Sequence, residues 1–310
     1  MTVLVFDVGG TRLKAGLVGP DGIRPKAVVP TDVSSADALI EQIVALGGQL
    51  LHGKRPSAVG VGIKGIVDPR HGNVVEVNGP LDHLSGVPLA GWLANIFGVP
   101  VCVENDARMY ALGELHHGAG RGVENLVCLT LGTGIGVGVV TEGRLLRGGR
   151  GALGALAGHI TVDVDGPPCT CGSVGCLEAL IGSHGLIADA RARACDHPGS
   201  RLATEVLDPE AIFSAAADGD AAALATVERF THVLACGVVS LIHVYDPDLF
   251  VLGGGLAASA PQFLEQVQQF VDEHAWTQPK GRVRLALSTL GDTAALLGAA
   301  ELAASAAEAS

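Results

Sequence analysis

A nine-residue stretch occurs twice in this chain, and the repeat narrows the folds open to it. Gly10-Thr11-Arg12-Leu13-Lys14-Ala15-Gly16-Leu17-Val18 lines up with Gly132-Thr133-Gly134-Ile135-Gly136-Val137-Gly138-Val139-Val140. Four positions are identical, and two more exchange one aliphatic side chain for another. Each copy is followed within five residues by an acid and a glycine, Asp21-Gly22 and Glu142-Gly143. An apolar run, a glycine turn, an alternating run and a second turn read as a β-hairpin. Two like hairpins about 120 residues apart predict two related α/β domains facing each other. A short glycine-rich match also arises by chance, so the rest of the chain has to agree.

It does agree in pattern. Val3 to Phe6 is a first strand, and a helix is predicted from Ser35 to Leu51, capped by Ser34, with apolar residues at helical spacing. Ser57 to Val67 reads as a strand, Pro88 to Phe97 as a helix, Val99 to Val103 as a strand and Ala107 to His117 as a helix. Beyond the second hairpin, helices are predicted from Cys176 or Leu177 to Ala194, from Pro209 to Ala217 and from Asp220 to Tyr245. Leu249 to Leu252 is a strand, Pro261 to Trp276 an amphipathic helix, Val283 to Leu287 a strand, and Thr293 to Ala307 a final Ala-rich helix. Strands alternating with helices indicate an α/β fold with largely parallel pairing plus hairpins.

The length of 310 residues accommodates two full-sized cores. The expected domains are 1–117, a smaller N-terminal α/β domain on which the C-terminal helix 293–310 packs, and 118–292, a larger one. With 48% hydrophobic and only 17% charged residues the chain reads as globular. A net charge of −12 argues against nucleic acid or an anionic membrane as the main partner. The N-terminus has no basic stretch before an apolar one, and no charge-free apolar window of 18 residues occurs, so neither a signal peptide nor a transmembrane helix is expected. The expected setting is cytoplasmic.

Residues 154–180 concentrate unusual chemistry. Cys169, Cys171 and Cys176, with His159, supply three thiolates and one imidazole, the ligand set of a closed tetrahedral structural zinc site. Gly172 and Gly175 let the backbone curl the thiolates toward one point. The alternative is a set of buried free thiols beside a core histidine. Disulfides fit less well in a chain expected in a reducing compartment.

Three glycine turns each follow an apolar strand: Gly9-Gly10-Thr11, Gly132-Thr133-Gly134 and Gly253-Gly254-Gly255. Bare N–H groups in such turns form concave anion sites, and a threonine hydroxyl adds a donor. One alone is only a turn; three, two of them in duplicated hairpins, point to a nucleoside triphosphate such as ATP. Neither a P-loop nor a dinucleotide-binding glycine pattern is present. Val103-Glu104-Asn105-Asp106-Ala107 places two acids and an amide where a strand meets a helix, at the strand end where α/β proteins bind ligands. Asp106 is either a helix cap or the carboxylate that accepts an alcohol proton during phosphoryl transfer. Asp7 either helps to hold Mg²⁺ near the phosphates or caps its turn.

Taken together, D-V-G-G-T at Asp7, V-E-N-D-A at Val103, L-G-T-G-I-G-V-G at Leu131, G-H-I-T-V at Gly158, C-T-C-G-S-V-G-C-L-E at Cys169 and V-L-G-G-G at Val251 resemble the ROK family of bacterial sugar kinases and sugar-responsive regulators. The resemblance is glucokinase-like and covers essentially the whole chain. It implies a two-domain actin-like or hexokinase-like (ribonuclease H-like) ATPase fold closing on ATP and a sugar. It implies Asp106 as general base, Asn78, Asn105, His159 and Glu178 as sugar contacts, and zinc on His159, Cys169, Cys171 and Cys176. It also implies a homodimer. Regulators of the group carry a DNA-binding segment before the first hairpin, which here begins at Val3, so the kinase reading is preferred over the repressor one.

The chain departs from the family pattern on the acceptor side. Where the family has Glu-x-Gly-His, this chain has Leu156-Ala157-Gly158-His159. Lys64 stands where a proline is usual, and the tryptophan expected after Asn78 is missing. The phosphate turns and Asp106 are intact, which predicts a working kinase with an altered acceptor, a non-glucose hexose, an amino sugar or a cyclitol; the alternatives are a glucokinase with relaxed recognition near C1 and C2 or a sugar-binding protein without catalysis. Lys64 is either a plain surface lysine or a partner for an acidic substituent. Cys102, Cys128, Cys195 and Cys236 are expected as buried thiols, and Trp92 and Trp276 as packing residues.

Overall fold

The computed structural model describes residues 1–204 and 206–308. The chain divides into two compact units, one of residues 1–122, 138–155 and 289–308, the other of residues 123–137 and 156–288. The chain first crosses between the units after residue 122, and residues 138–155 return to the first unit. Of the C-terminal helix expected over 293–310, residues 309 and 310 lie outside the described residues.

In the first unit the chain forms β1 (Val3–Val8), β2 (Arg12–Gly19), β3 (Gly22–Pro30), α1 (Ala36–Leu51), β4 (Ala58–Ile63), β5 (Ile66–Val67), β6 (Val74–Glu76), α2 (Leu89–Phe97), β7 (Val101–Asn105) and α3 (Asp106–His117). Its sheet runs β3-β2-β1-β4-β7. β1 is antiparallel to β2 and parallel to β4, and β4 is parallel to β7. A strand with neighbours on both edges and layers on both faces has to be apolar throughout. β1 meets that condition, every residue being buried except the half-buried Asp7. The single strand expected over 57–67 breaks at Lys64-Gly65, where Gly65 adopts φ +103° and lies against the backbone of Glu76 and Val77. Ser35, and not Ser34, caps α1 by accepting the N–H of Ala38; Ser34 bonds Asp32 instead.

The second unit contains β8 (Leu126–Leu131) and the start of β9 (Ile135–Thr141), whose end returns to the first unit with β10 (Arg144–Leu145). It continues with α4 (Leu177–Ile181), α5 (Ser183–Cys195), α6 (Pro209–Ala217), α7 (Ala221–Tyr245), β11 (Leu249–Gly253), α8 (Leu264–His274) and β12 (Arg284–Leu287). The sheet order is β10-β9-β8-β11-β12, with β8, β11 and β12 parallel. Each sheet thus has a hairpin and its extension on one side and two parallel strands on the other. The sequence repeat has become a repeat of topology.

The helix expected from Leu177 onward is two helices, broken at Gly182, because the turn there packs against the carbonyls of Thr133 and Glu178. α7 has the length and apolar content to cross a membrane, yet over half of that window is buried inside the unit. Phe230 of α7 forms an aromatic cluster with Phe213 and Phe263, with centroids 5.3–6.0 Å apart. Such pairs contribute about 1 kcal/mol each beyond burial. The final helix, α9 (Ala294–Glu308), packs in the first unit against α3, β1 and β4. A side chain at Gly298 would meet the carbonyl of Met109 at 1.8 Å, so glycine is what permits this approach.

The burial expected of several side chains also fails. Trp92 is 39% and Trp276 94% exposed, so neither is a packing residue; the α8 helix stops at His274, before reaching Trp276. Cys195, the last residue of α5, is exposed, and Cys102 and Cys236 are only half-buried; Cys128 is buried as expected.

Candidate functional site

In the first unit, β1 and β2 present Asp7 and the turn Gly9-Gly10-Thr11. The Gly9 N–H donates to the Arg12 carbonyl at 3.1 Å, and the Thr31 hydroxyl donates to the Gly9 carbonyl at 2.7 Å, which fixes the turn. Among the described residues no hydrogen bond joins the Asp7 side chain to the turn. The hairpin register sets Asp7 opposite Lys14, and Lys14 Nζ lies 3.4 Å from Asp7 and 3.1 Å from Asp292. Burial still pushes the Asp7 carboxyl above its usual range, Lys14 only partly offsetting it. Lys14 and Asp292 were not singled out from sequence; the cross-strand position of Lys14, three residues after Thr11, was the available signal.

Parallel pairing of β4 with β7 brings Ile63 beside Asn105, so Lys64 and Asp106 leave neighbouring strand ends. Asn105 Oδ1 accepts the Arg108 N–H at 3.2 Å, and its Nδ2 donates to the Gly65 carbonyl at 3.0 Å. Asn105 is therefore the cap of α3, and Asp106 is freed from that role. Its Oδ1 accepts the N–H of Ala107 at 2.8 Å. Burial, reinforced by the nearby Asp7 carboxylate and only partly offset by Lys64, raises the Asp106 pKa to about 6. A carboxylate held there is mostly ionised at neutral pH yet more basic than an ordinary aspartate. Asn78 is exposed, and its side chain caps nothing in the short helix it precedes.

Beneath Asp106 lies a charge network that sequence reasoning missed. Arg108 is fully buried and pairs with Glu104 (Nη1 to Oε1, 3.0 Å). Arg147 Nε reaches the other Glu104 oxygen at 2.6 Å. The i,i+4 spacing of Glu104 and Arg108 was visible, but across a strand–helix junction it is not a helix-face pair.

In the second unit, β8 and β11 are parallel neighbours, so Gly132-Thr133-Gly134 and Gly253-Gly254-Gly255 lie side by side. A Cβ on Gly254 would come within 2.3 Å of the Leu131 carbonyl. The Ser183 N–H and hydroxyl both donate to the Gly132 carbonyl at 2.9 Å. Glu178 Oε2 accepts the Ile135 N–H at 2.9 Å and lies where a Cβ on Gly134 would sit at 2.5 Å. Thr133 and Glu178 also line a cavity of about 420 Å³ with Cys169, Thr170, His184 and Arg229.

The cysteine stretch folds back on itself. The ligand atoms of His159, Cys169, Cys171 and Cys176 lie within 4.8 Å of one another. Cys169 Sγ is 3.5 Å from His159 Nδ1, and Cys171 Sγ is 3.6 Å from Cys176 Sγ. Tetrahedral zinc with arms of about 2.3 Å needs ligand separations of about 3.8 Å, so the donor set fits the ion. Burial, with Cys169 and Cys171 beside it, pushes the Cys176 thiol up to about 12, whereas the Ser173 N–H holds the exposed Cys171 thiol below its usual range. His159 Nδ1 also lies 3.9 Å from Glu178 Oε1, which ties the cluster to the carboxylate below the second glycine turn. Leu156, where the resemblance calls for glutamate, is 44% exposed.

The chain is 35% identical over 309 residues to a glucokinase of Thermotoga maritima, covering 97% of each chain. It is 33% identical over 308 residues to an N-acetylmannosamine kinase of Escherichia coli O157:H7, covering 98% of each. A ROK glucokinase from Streptomyces griseus, solved with glucose and AMPPNP, superposes with a TM-score of 0.84 at 30% identity, covering 98% of this chain and all of that one. The profile of the ROK family matches residues 3–306, and this chain belongs to that family.

Proposed function

We propose that this protein is a sugar kinase that transfers the γ-phosphoryl group of ATP to a hydroxyl of a sugar or sugar-like polyol, with Asp106 as general base. The observation that carries the reading is the freeing of Asp106 from helix capping together with its raised pKa. The acceptor hydroxyl gives its proton to the Asp106 carboxylate as its oxygen attacks the γ-phosphorus, and the bond to ADP breaks. Such transfers proceed through a loose transition state, so the protein contributes positioning and electrostatics more than covalent chemistry. The N–H groups of the turns at Gly9, Gly10 and Thr11, at Gly132, Thr133 and Gly134, and at Gly253, Gly254 and Gly255 hold the nucleotide. Mg²⁺ would be held on the Asp7 side, where it neutralises phosphate charge. Asn78, Asn105, His159 and Glu178 contact the acceptor. Zinc on His159, Cys169, Cys171 and Cys176 supplies rigidity only.

The acceptor belongs to a class other than plain glucose: an amino sugar, another hexose or a cyclitol. Leu156 offers no carboxylate to hydroxyls that a glutamate there would bond, and a site lacking such an acceptor loses much of its discrimination. Lys64 places a cation beside Asp106 that an acidic substituent can meet. The glucokinases among the relatives favour a second reading, glucose phosphorylation with relaxed recognition near C1 and C2. ADP release measured over hexoses, amino sugars and cyclitols decides between them: a clear preference for glucose sinks the altered acceptor. Replacing Asp106→Asn should lower kcat by on the order of 10³-fold with binding retained; unchanged turnover removes Asp106 as base. A cytoplasmic homodimer belongs to the same proposal, and sedimentation in solution tests the dimer.

A further inference from the structure

Arg108 has no solvent exposure, and its Nε has no hydrogen-bond partner among the described residues. Apolar side chains of similar volume usually match or exceed the stability given by a buried ion pair. Stability is thus a weak reason for a charged pair directly beneath Asp106, and its other contacts are more telling. Arg108 Nη2 donates to the carbonyl of Leu153 at 2.6 Å and of Arg147 at 3.4 Å. These are the two ends of a glycine-rich loop, closed on itself by the Leu153 N–H donating to the Arg147 carbonyl at 3.3 Å. The Arg147 side chain returns to Glu104, whose Oε1 also accepts the N–H of Asn105. One carboxylate therefore gathers the backbone next to Asp106, the buried guanidinium and the loop's own arginine.

We propose that Arg108 and Arg147 are positioning residues that act through Glu104, holding the 147–153 loop and the Asn105-Asp106 turn in one fixed register. Neither arginine touches the reacting atoms. The base is correctly aimed when the loop is docked, and the loop's next residues in sequence lead to Leu156. The inference rests on Asp106 being the base.

The test is kinetic and uses ATP with whichever acceptor of the panel turns over fastest. In the double variant Glu104→Leu/Arg108→Met the pair is replaced by apolar volume. It should fold but melt below wild type, because the carbonyls of Arg147 and Leu153 and the N–H of Asn105 lose their side-chain partners. At temperatures where it is fully folded it should keep its KM for ATP within about twofold and lose on the order of 10²-fold in kcat, the usual consequence of a misplaced catalytic group. Arg147→Ala, at a side chain 30% exposed, should lose about tenfold in kcat with little change in melting temperature, and Arg147→Lys should recover most of it. Wild-type kcat in a folded double variant overturns the proposal, as does a loss in Arg147→Ala that tracks the folded fraction alone. If the double variant does not fold, the Arg147 series decides. Should Asp106→Asn itself retain turnover, the failure lies in the base assignment and not in the network.

Discussion

Residues 147–153 and residues 159–176 are consecutive glycine-bearing loops, separated by the segment that carries Leu156, and each has to keep a fixed shape. The first is held by charges the protein supplies itself: Glu104 between Arg108 and Arg147, with two loop carbonyls on the buried guanidinium. The second brings four donors within 4.8 Å of one another, a set that a zinc ion would clamp. A charge clamp loses its parts one at a time, since each bond has an independent partner. A metal clamp is all or nothing, because removing one ligand leaves the others without their shared ion. The difference predicts how each loop fails.

Cys176→Ser is the harshest test. Wild-type protein should carry about one zinc per protomer. The variant should lose most of it, unfold at markedly lower temperature and turn over at background rate. Structural zinc contributes apparent energies of about 10 kcal/mol in isolated zinc-finger peptides. The loss here should be smaller, because the Phe213–Phe230–Phe263 core of the same unit does not depend on the metal. Metal analysis showing well under one zinc in fully active protein would remove the distinction between the two loops.

Glycine substitutions separate the loops more finely. Gly151 has φ +73°, and a Cβ there would lie 1.9 Å from the Val67 carbonyl. Gly172 has φ +89° but open space around it. Gly151→Ala should therefore destabilise by about 3 kcal/mol through combined strain and clash, and Gly172→Ala by only about 1 kcal/mol through backbone conformation. Urea unfolding of the two variants measures both. Equal costs would mean that the first loop gives way locally and is not clamped.

The contrast also explains what could be read in advance. Cys169, Cys171 and Cys176 lie within eight residues, so their joint purpose is visible in a local spacing, and the repeated hairpins are visible in the same way. Arg108 was not legible, because its partners Arg147 and Leu153 are some forty residues away and an arginine near a helix start ordinarily faces water. Asp106 was legible as an acid at a strand end, but not whether it or Asn105 would cap α3. That depended on Gly65, whose carbonyl fixes the Asn105 amide so that its oxygen faces the Arg108 N–H. The break of the 57–67 strand, which puts Gly65 there, came from a contact with residues 76–77 that no local pattern announces.

Acidity should act on the two regions with opposite signs. Zinc ligands must be deprotonated, so the metal clamp weakens as pH falls. Asp106 behaves the other way. Its folded pKa, about 6, lies above its ordinary value of 3.8, chiefly through burial, so the folded state penalises the ionised form. That penalty is absent below about pH 4, accumulates between the two values and is complete above pH 6. Asp106→Asn keeps an acceptor for the Ala107 N–H while removing the charge. It should raise stability at pH 8, by about 1–2 kcal/mol after discounting for partial exposure, and by less at pH 5. The same ionisation should give wild-type kcat an acid limb near pH 6. Thermal unfolding of both proteins at the two pH values is the check. An Asn variant that gains equally at pH 5 and pH 8 would show that the charge of Asp106 is not what its surroundings resist, and that the charge-clamped region is as indifferent to ionisation as an ordinary helix start.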